Sequence, residues 1–247
     1  VFRFTADIQS RRRIGLTATL VREDGRESDV FSLIGPKRFD APWKDIEAQG
    51  YIAPADCCEI RVSLEESERM AYALAEPEDR YRLAAAAPVK TQVVEQLIAS
   101  HPDDQILVIG QYLDQLDDLA ADLDAPLITG KTPVRRRQEL FDAFRAGEVR
   151  VLVVSKVANF SVDLPEARVA IQVSGTFGSR QEEAQRLGRV LRPKHDGATA
   201  HFYTVVTRDT VDADFAGLIL LAENGQVRDG VAGDAHRSLD PSRKLFD

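Results

Sequence analysis

Gln105-Ile106-Leu107-Val108-Ile109 and Val149-Arg150-Val151-Leu152-Val153-Val154 decide the fold class. Both are short apolar runs rich in β-branched residues, and neither alternates apolar with polar. A strand of that kind is buried on both faces, as in parallel sheets covered by helices. Between the two runs, Leu113, Leu116, Ala120 and Leu123 share one face of a helix, and Pro126-Leu127-Ile128 reads as a short strand. Thr132 is expected to cap the next helix, with Pro133 at its first position, Leu140, Phe141 and Phe144 inward, and Gly147 at its end. Val169 to Val173 and His201 to Val206 supply two further strands. This alternation describes an α/β fold, a parallel sheet with helices on both faces, whose ligands gather at the carboxyl ends of the strands.

Upstream, Tyr51 to Val62 has strand character and Leu64 to Ala99 turns helical. Met70, Ala73 and Leu74 share one helical face, and Pro88 opens a second helix that packs Val93, Val94, Leu97 and Ile98 inward. Ala84-Ala85-Ala86-Ala87-Pro88 reads as a hinge or boundary. The N-terminal stretch carries Arg11-Arg12-Arg13, the β-prone run Ile14-Gly15-Leu16-Thr17-Ala18-Thr19-Leu20 and the charged turn Arg22-Glu23-Asp24-Gly25. From Gly217 onward, one short helix followed by poorly ordered Gly- and Asp-rich chain is expected.

The 247 residues suffice for one large or two modest cores. No apolar run is long enough to span a membrane, and no signal peptide is visible. The chain opens on Val rather than Met, without a cap or turn signal, and reads as a piece of a longer polypeptide. A net charge of -8 argues against a generally basic nucleic-acid coat but leaves room for a local basic groove. Cys57-Cys58 fits neither a metal spacing nor a disulfide framework and reads as two small buried residues of a cytoplasmic protein. His101, His195, His201 and His236 show no metal spacing and read as incidental.

One segment carries chemistry. In Gln185-Arg186-Leu187-Gly188-Arg189-Val190-Leu191-Arg192, a helix would put Gln185, Arg189 and Arg192 on one face and Ala184, Leu187 and Leu191 opposite. Ser179 with Glu182 would start that helix and Pro193 would stop it. Two guanidiniums beside an amide suit a polyanion, since each presents planar bidentate donors to phosphate oxygens; a solvated basic face is the alternative. The parts that would hold a nucleoside triphosphate do not accompany them. Ala125 to Thr132 satisfies a relaxed phosphate-loop pattern, but its strand lies inside the supposed loop and Pro133 removes an amide. The strands run into Gly110-Gln111, Ser155-Lys156 and Ser174-Gly175, none of them the carboxylate that would hold Mg²⁺. Phosphate-reading arginines without a cradle suggest one half of a site completed by another domain.

Taken in order, Leu16-Thr17-Ala18-Thr19, Arg22-Glu23-Asp24, Leu33-Ile34-Gly35-Pro36-Lys37, Ser155-Lys156-Val157 to Asp163-Leu164-Pro165, and Gln185 to Arg192 resemble the XPB family of superfamily 2 DNA helicases. The likeness runs from the first residues to about Asp214. It implies two RecA-like domains that clamp ATP and Mg²⁺ between them and track along DNA. Residues 1–50 would end the first domain and residues 51–215 would form the second, with a thumb-like helical segment at 64–87 and a divergent tail at 216–247. By the same resemblance Arg189 and Arg192 are arginine fingers, and Gln185 senses nucleotide beside them. Asp163 links nucleotide to DNA contacts, Thr17 and Thr19 couple hydrolysis to unwinding, and Ser155 meets the DNA backbone. Arg22, Glu23 and Asp24 help to open the duplex.

The activity implied is that of a 3′-to-5′ helicase or translocase of the nucleotide-excision-repair type. The chain alone would not hydrolyse ATP. DNA is the implied partner, with a repair nuclease or other repair factors beside it, no membrane, and a cytoplasmic or nucleoid location. Two departures stand out: Gly110-Gln111-Tyr112 lacks the Ser, Asp or Asn expected after its strand, and the tail no longer follows the family. A restriction or remodelling motor of the same superfamily, and a non-catalytic RecA-like module that binds DNA or a partner, are the competing readings.

Overall fold

The structure, a computed structural model, describes residues 14–15, 31–32, 34–39, 45, 49, 55–155, 167–174, 199–215 and 226–229. Its strands are β1 (Ala55–Val62), β2 (Ile106–Gly110), β3 (Leu127–Ile128), β4 (Val151–Ser155), β5 (Val169–Gln172), β6 (Ala200–Thr207) and β7 (Gln226–Asp229). They form one sheet in the order β3-β4-β2-β5-β6-β1-β7, with every neighbour parallel. The helices are α1 (Glu66–Leu74), α2 (Pro77–Ala85), α3 (Val89–Ser100), α4 (Leu113–Asp122), α5 (Val134–Arg145) and α6 (Val211–Phe215).

Side chains that alternate along each strand enter two different cores, which is why the strands are apolar throughout. Ile106 and Val108 of β2, with Val169 and Ile171 of β5, pack against Val93, Val94 and Leu97 of α3 and Leu116 and Leu119 of α4. Leu107 and Ile109, with Leu152, Val154 and Phe202, pack against Leu140, Phe141 and Phe144 of α5. The expected arrangement, helices on both faces of a parallel sheet, is thus observed. Cys57 and Cys58 enter opposite cores as buried apolar residues.

Local expectations fail where tertiary contacts outweigh local signals. Thr132 does not cap α5. Pro133 is the cap residue, and the Thr132 hydroxyl instead accepts the Thr129 N–H at 2.9 Å. Leu113 is exposed, and the inward stripe of α4 runs through Leu116 and Leu119. The Ala84-to-Pro88 stretch is no hinge. Ala84, Ala85 and Ala87 are buried, and the carbonyls of Ala84 and Ala85 accept side-chain hydrogen bonds from Thr207 and Gln115. Met70 and Leu74 do share a face, but α1 buries none of its residues and that face is open. The tail, expected to hold a short helix and loose chain, contributes β7, which pairs in parallel with β1 from Cys58↔Gln226 to Arg61↔Asp229.

Candidate functional site

The parallel topology lines up the carboxyl ends of β2, β4, β5 and β6 on one edge of the sheet, where ligands of such sheets bind. The ends of β2, β5 and β6 are braced by side-chain hydrogen bonds. After β2, the Gln111 N–H donates to Ser174 Oγ at 2.8 Å. That hydroxyl donates to Gln115 Oε1 at 2.9 Å, and Gln115 Nε2 donates to the Ala85 carbonyl at 2.8 Å. A Cβ on Gly110 would come within 2.7 Å of Leu116 Cδ2 and 3.0 Å of Ser174 Oγ, so the β2 end admits only glycine without movement.

The ends of β5 and β6 are joined by a buried ion pair. Lys90 Nζ, from α3, donates to the Val173 carbonyl at 2.8 Å and to Asp212 Oδ2 at 2.7 Å. Asp212 Oδ2 also accepts the Thr207 N–H at 2.9 Å. Burial pushes the Lys90 ammonium below the usual lysine range, and the facing Asp212 carboxylate opposes that shift. Thr207 Oγ1 donates to the Ala84 carbonyl at 2.7 Å, and the Val211 N–H donates to Tyr72 Oη at 3.0 Å, tying α2 and α1 to the same edge.

Ser155, which the resemblance assigns to DNA, ends β4. It is buried, and among the described residues its hydroxyl has no hydrogen-bond partner. Leaving a buried hydroxyl unsatisfied costs about 1–3 kcal/mol, so this group is set apart from the braced ends beside it. The other assigned residues, Gln185, Arg189, Arg192, Asp163, Thr17, Thr19, Arg22, Glu23 and Asp24, lie outside the described residues.

The described strand ends do not make a triphosphate cradle. In the Thr129–Thr132 turn three amides are spent internally: Thr129 N–H on Thr132 Oγ1, Lys131 N–H on Thr129 Oγ1 at 3.2 Å, and Thr132 N–H on the Thr129 carbonyl at 3.2 Å. Among the described residues, no group of three His, Cys, Asp or Glu side chains is placed to hold a metal ion.

Sequence reasoning missed two polar clusters. Lys90 stands at the spacing of the inward α3 stripe with Val93, Val94 and Leu97, and that position alone signals burial; its partner lies too far along the chain to be read. His101 and His201 are not incidental. At the amino ends of the strands, His101 Nε2 lies 2.9 Å from Tyr203 Oη and Nδ1 lies 3.0 Å from Asp104 Oδ2, with the His201 ring 5.1 Å away.

Comparison with known proteins supplies what this geometry leaves open. A family model described as ERCC3/RAD25/XPB C-terminal helicase matches residues 46–218. A Kineococcus radiotolerans protein named DNA 3'-5' helicase XPB is 70% identical over 227 residues, 91% of this chain and 41% of that protein. A Mycobacterium tuberculosis protein of the same name is 68% identical over the same shares. The Saccharomyces cerevisiae general transcription and DNA repair factor IIH helicase/translocase subunit XPB/SSL2 is 36% identical over 84% of this chain and 25% of its own length. The chain therefore spans less than half the length of these relatives. Among solved structures, S. cerevisiae Dbp5 bound to RNA and ADP BeF3 superposes with a TM-score of 0.61 over 90% of this chain and 51% of that one. At 12% identity this likeness shows the fold alone, that of a RecA-like helicase domain.

Proposed function

We propose, because the chain belongs to the ERCC3/RAD25/XPB C-terminal helicase family, that it forms the second RecA-like domain of an ATP-dependent DNA 3′-5′ helicase. The observation that carries this reading is the family match across residues 46–218, which takes in β1 to β6 and all six described helices. In this reading residues 51–215 form that domain, residues 1–50 end the first RecA-like domain, the helical pair at 64–87 is a thumb-like element, and 216–247 is a tail.

ATP with Mg²⁺, bound between the two domains, supplies the phosphoryl transfer that powers movement. This chain's part is to present charge and donors. Arg189 and Arg192 offer paired N–H groups to phosphate oxygens, and Gln185 adds an amide on the same helix face. Ser155, at the carboxyl end of β4, stands on the side that meets the DNA backbone, and Asp163, Thr17 and Thr19 relay between the two ligands. Arg22, Glu23 and Asp24 act where strands part. DNA is the substrate, repair factors are the partners, and the setting is the cytoplasm or nucleoid. No described helix is long and apolar enough to cross a membrane.

Two measurements test this. The purified 247-residue chain is expected to bind single-stranded DNA without turning over ATP, and DNA-stimulated hydrolysis by this chain alone would contradict the reading. In the longer protein, Arg189→Ala is expected to keep ATP binding and lower turnover by about 10³-fold or more, the scale of a lost arginine finger. Unchanged turnover would remove that role.

A further inference from the structure

One row of side chains across the sheet changes character halfway. Ile128, Val154, Ile109, Gln172, Thr204 and Glu59 stand in register on β3, β4, β2, β5, β6 and β1. Alternation puts the last three on the face that carries α5, because Ala170, Phe202 and Cys57, two residues earlier on their strands, belong to the core on that face. The first three residues of the row are apolar members of the same core, and all six are buried.

Glu59 is the anomaly in this row. Its side chain is 1% exposed, and Arg61 Nε donates to Oε1 at 2.6 Å. Among the described residues, Oε2 has no hydrogen-bond partner, and neither has the hydroxyl of Thr204, its register partner. A carboxylate removed from water is costly to leave half-satisfied, so this position calls for a second donor, and a cation suits it best.

Topology and sequence together supply one. Parallel strands are joined with one hand. The connections from β1 to β2 and from β2 to β3 step toward the β3 edge with α3 and α4 on one face, and β3 to β4 steps back with α5 on the other. The step from β5 to β6 goes the same way as β3 to β4, so the same hand assigns its connection to the α5 face. That connection carries Ser179 to Pro193, the segment of Arg189 and Arg192. Read as a helix, it sets Arg180, Ala184, Leu187 and Leu191 at i, i+4, i+7 and i+11, in one stripe. A crossover helix runs back from the carboxyl edge to the amino edge, so Arg180 comes first, level with the polar row, and Ala184 follows over the apolar row of Ala170, Phe202 and Cys57. Two residues of strand and four of helix both advance about 6 to 7 Å, so stripe and face match in step as well as in order.

We propose that Glu59 is a positioning residue for the arginine helix: its buried carboxylate pairs with the Arg180 guanidinium, and the pair holds Arg189 and Arg192 on the outward side. The proposal rests on the reading of Arg189 and Arg192 as phosphate-binding arginines.

The test is DNA-stimulated ATP hydrolysis by the longer protein carrying Glu59→Gln, Arg180→Gln or both. Each single change is expected to lower kcat by roughly 10²-fold, the scale of a displacement of about 1 Å, with the KM for ATP nearly unchanged. The double variant should be no slower than the slower single variant, since all three remove one contact. An unchanged kcat in either single variant, or losses that multiply in the double, would overturn the proposal. Urea unfolding of the same variants of the 247-residue chain covers the case of poor folding: coupled losses support the pair, and additive losses overturn it. Arg189→Ala, measured alongside, separates this proposal from the reading beneath it. Turnover that collapses in Arg189→Ala but not in the Glu59 and Arg180 variants removes the positioning role alone. Turnover unchanged in Arg189→Ala removes the phosphate reading and this proposal with it.

Discussion

Lys90 Nζ and Asp212 Oδ2, 122 residues apart in sequence, meet at 2.7 Å with both side chains buried. The pair joins α3 to the segment after β6 and fixes the carboxyl ends of β5 and β6 against each other. Removing water from two charges is costly, and their attraction repays it only because the Val173 carbonyl and Thr207 N–H complete the hydrogen bonding.

Lys90→Met therefore strands a buried carboxylate and should destabilise the fold by roughly 3–5 kcal/mol. Lys90→Met/Asp212→Leu should cost less than the two single changes combined, because no orphan charge remains. Urea unfolding of the four proteins gives the coupling, and additive losses would show that the pair does not act as a unit.

Gly110→Ala should cost about 1–3 kcal/mol, the range for overpacking a filled core. The new methyl meets Leu116 Cδ2 at 2.7 Å, in a helix whose Leu116 is fully buried. Because Ser174 Oγ lies 3.0 Å away on the same side, the Gln111–Ser174 bond should weaken with it. Denaturation and amide exchange at Gln111 report the two effects separately.

His201 gives the fold an acid sensitivity. Burial, and then the neighbouring His101, lower its pKa below the ordinary 6.5, against the opposing pull of Asp56 and Asp104. The folded chain thus resists a proton that the unfolded chain accepts, so stability should fall as pH drops below about 6.5 and level off beneath the folded value. His201→Gln should flatten that part of the profile in thermal melts between pH 7.5 and 5, and an unaltered slope would remove His201 as its source.

Cys57 should be inert in the native state. Burial, with Asp56 and Cys58 nearby, pushes its thiol up to about 11, which suppresses the reactive thiolate at neutral pH. Cys58 is buried on the other face of β1. Ellman's reagent at pH 8 should titrate neither thiol until denaturant is added, and rapid native labelling would refute this.

Strands β1 to β6 and the helices that cover them can be read from short stretches of residues, because apolar runs and helical spacing are local properties of neighbouring residues. Val93, Val94, Leu97, Leu140, Phe141 and Phe144 are buried as their spacing requires. The ordered motifs from Thr17 to Arg192 were likewise legible, since each is a short run of residue types, and they pointed to the family that the comparisons confirm.

Features that depend on residues distant in the chain emerge in the folded molecule alone. Strand order belongs here, as does β7, whose four residues become an edge strand only because β1 offers an unpaired side. Thr132 turned from helix cap to turn lock, and Ala84 and Ala85 from hinge to anchor, once distant donors claimed their neighbours. Lys90 with Asp212, His101 with Tyr203, and Ser155 beside the Lys131 turn are likewise products of chain reversal. Burial makes each pairing matter: a polar group removed from water must find its partner wherever the fold brings one.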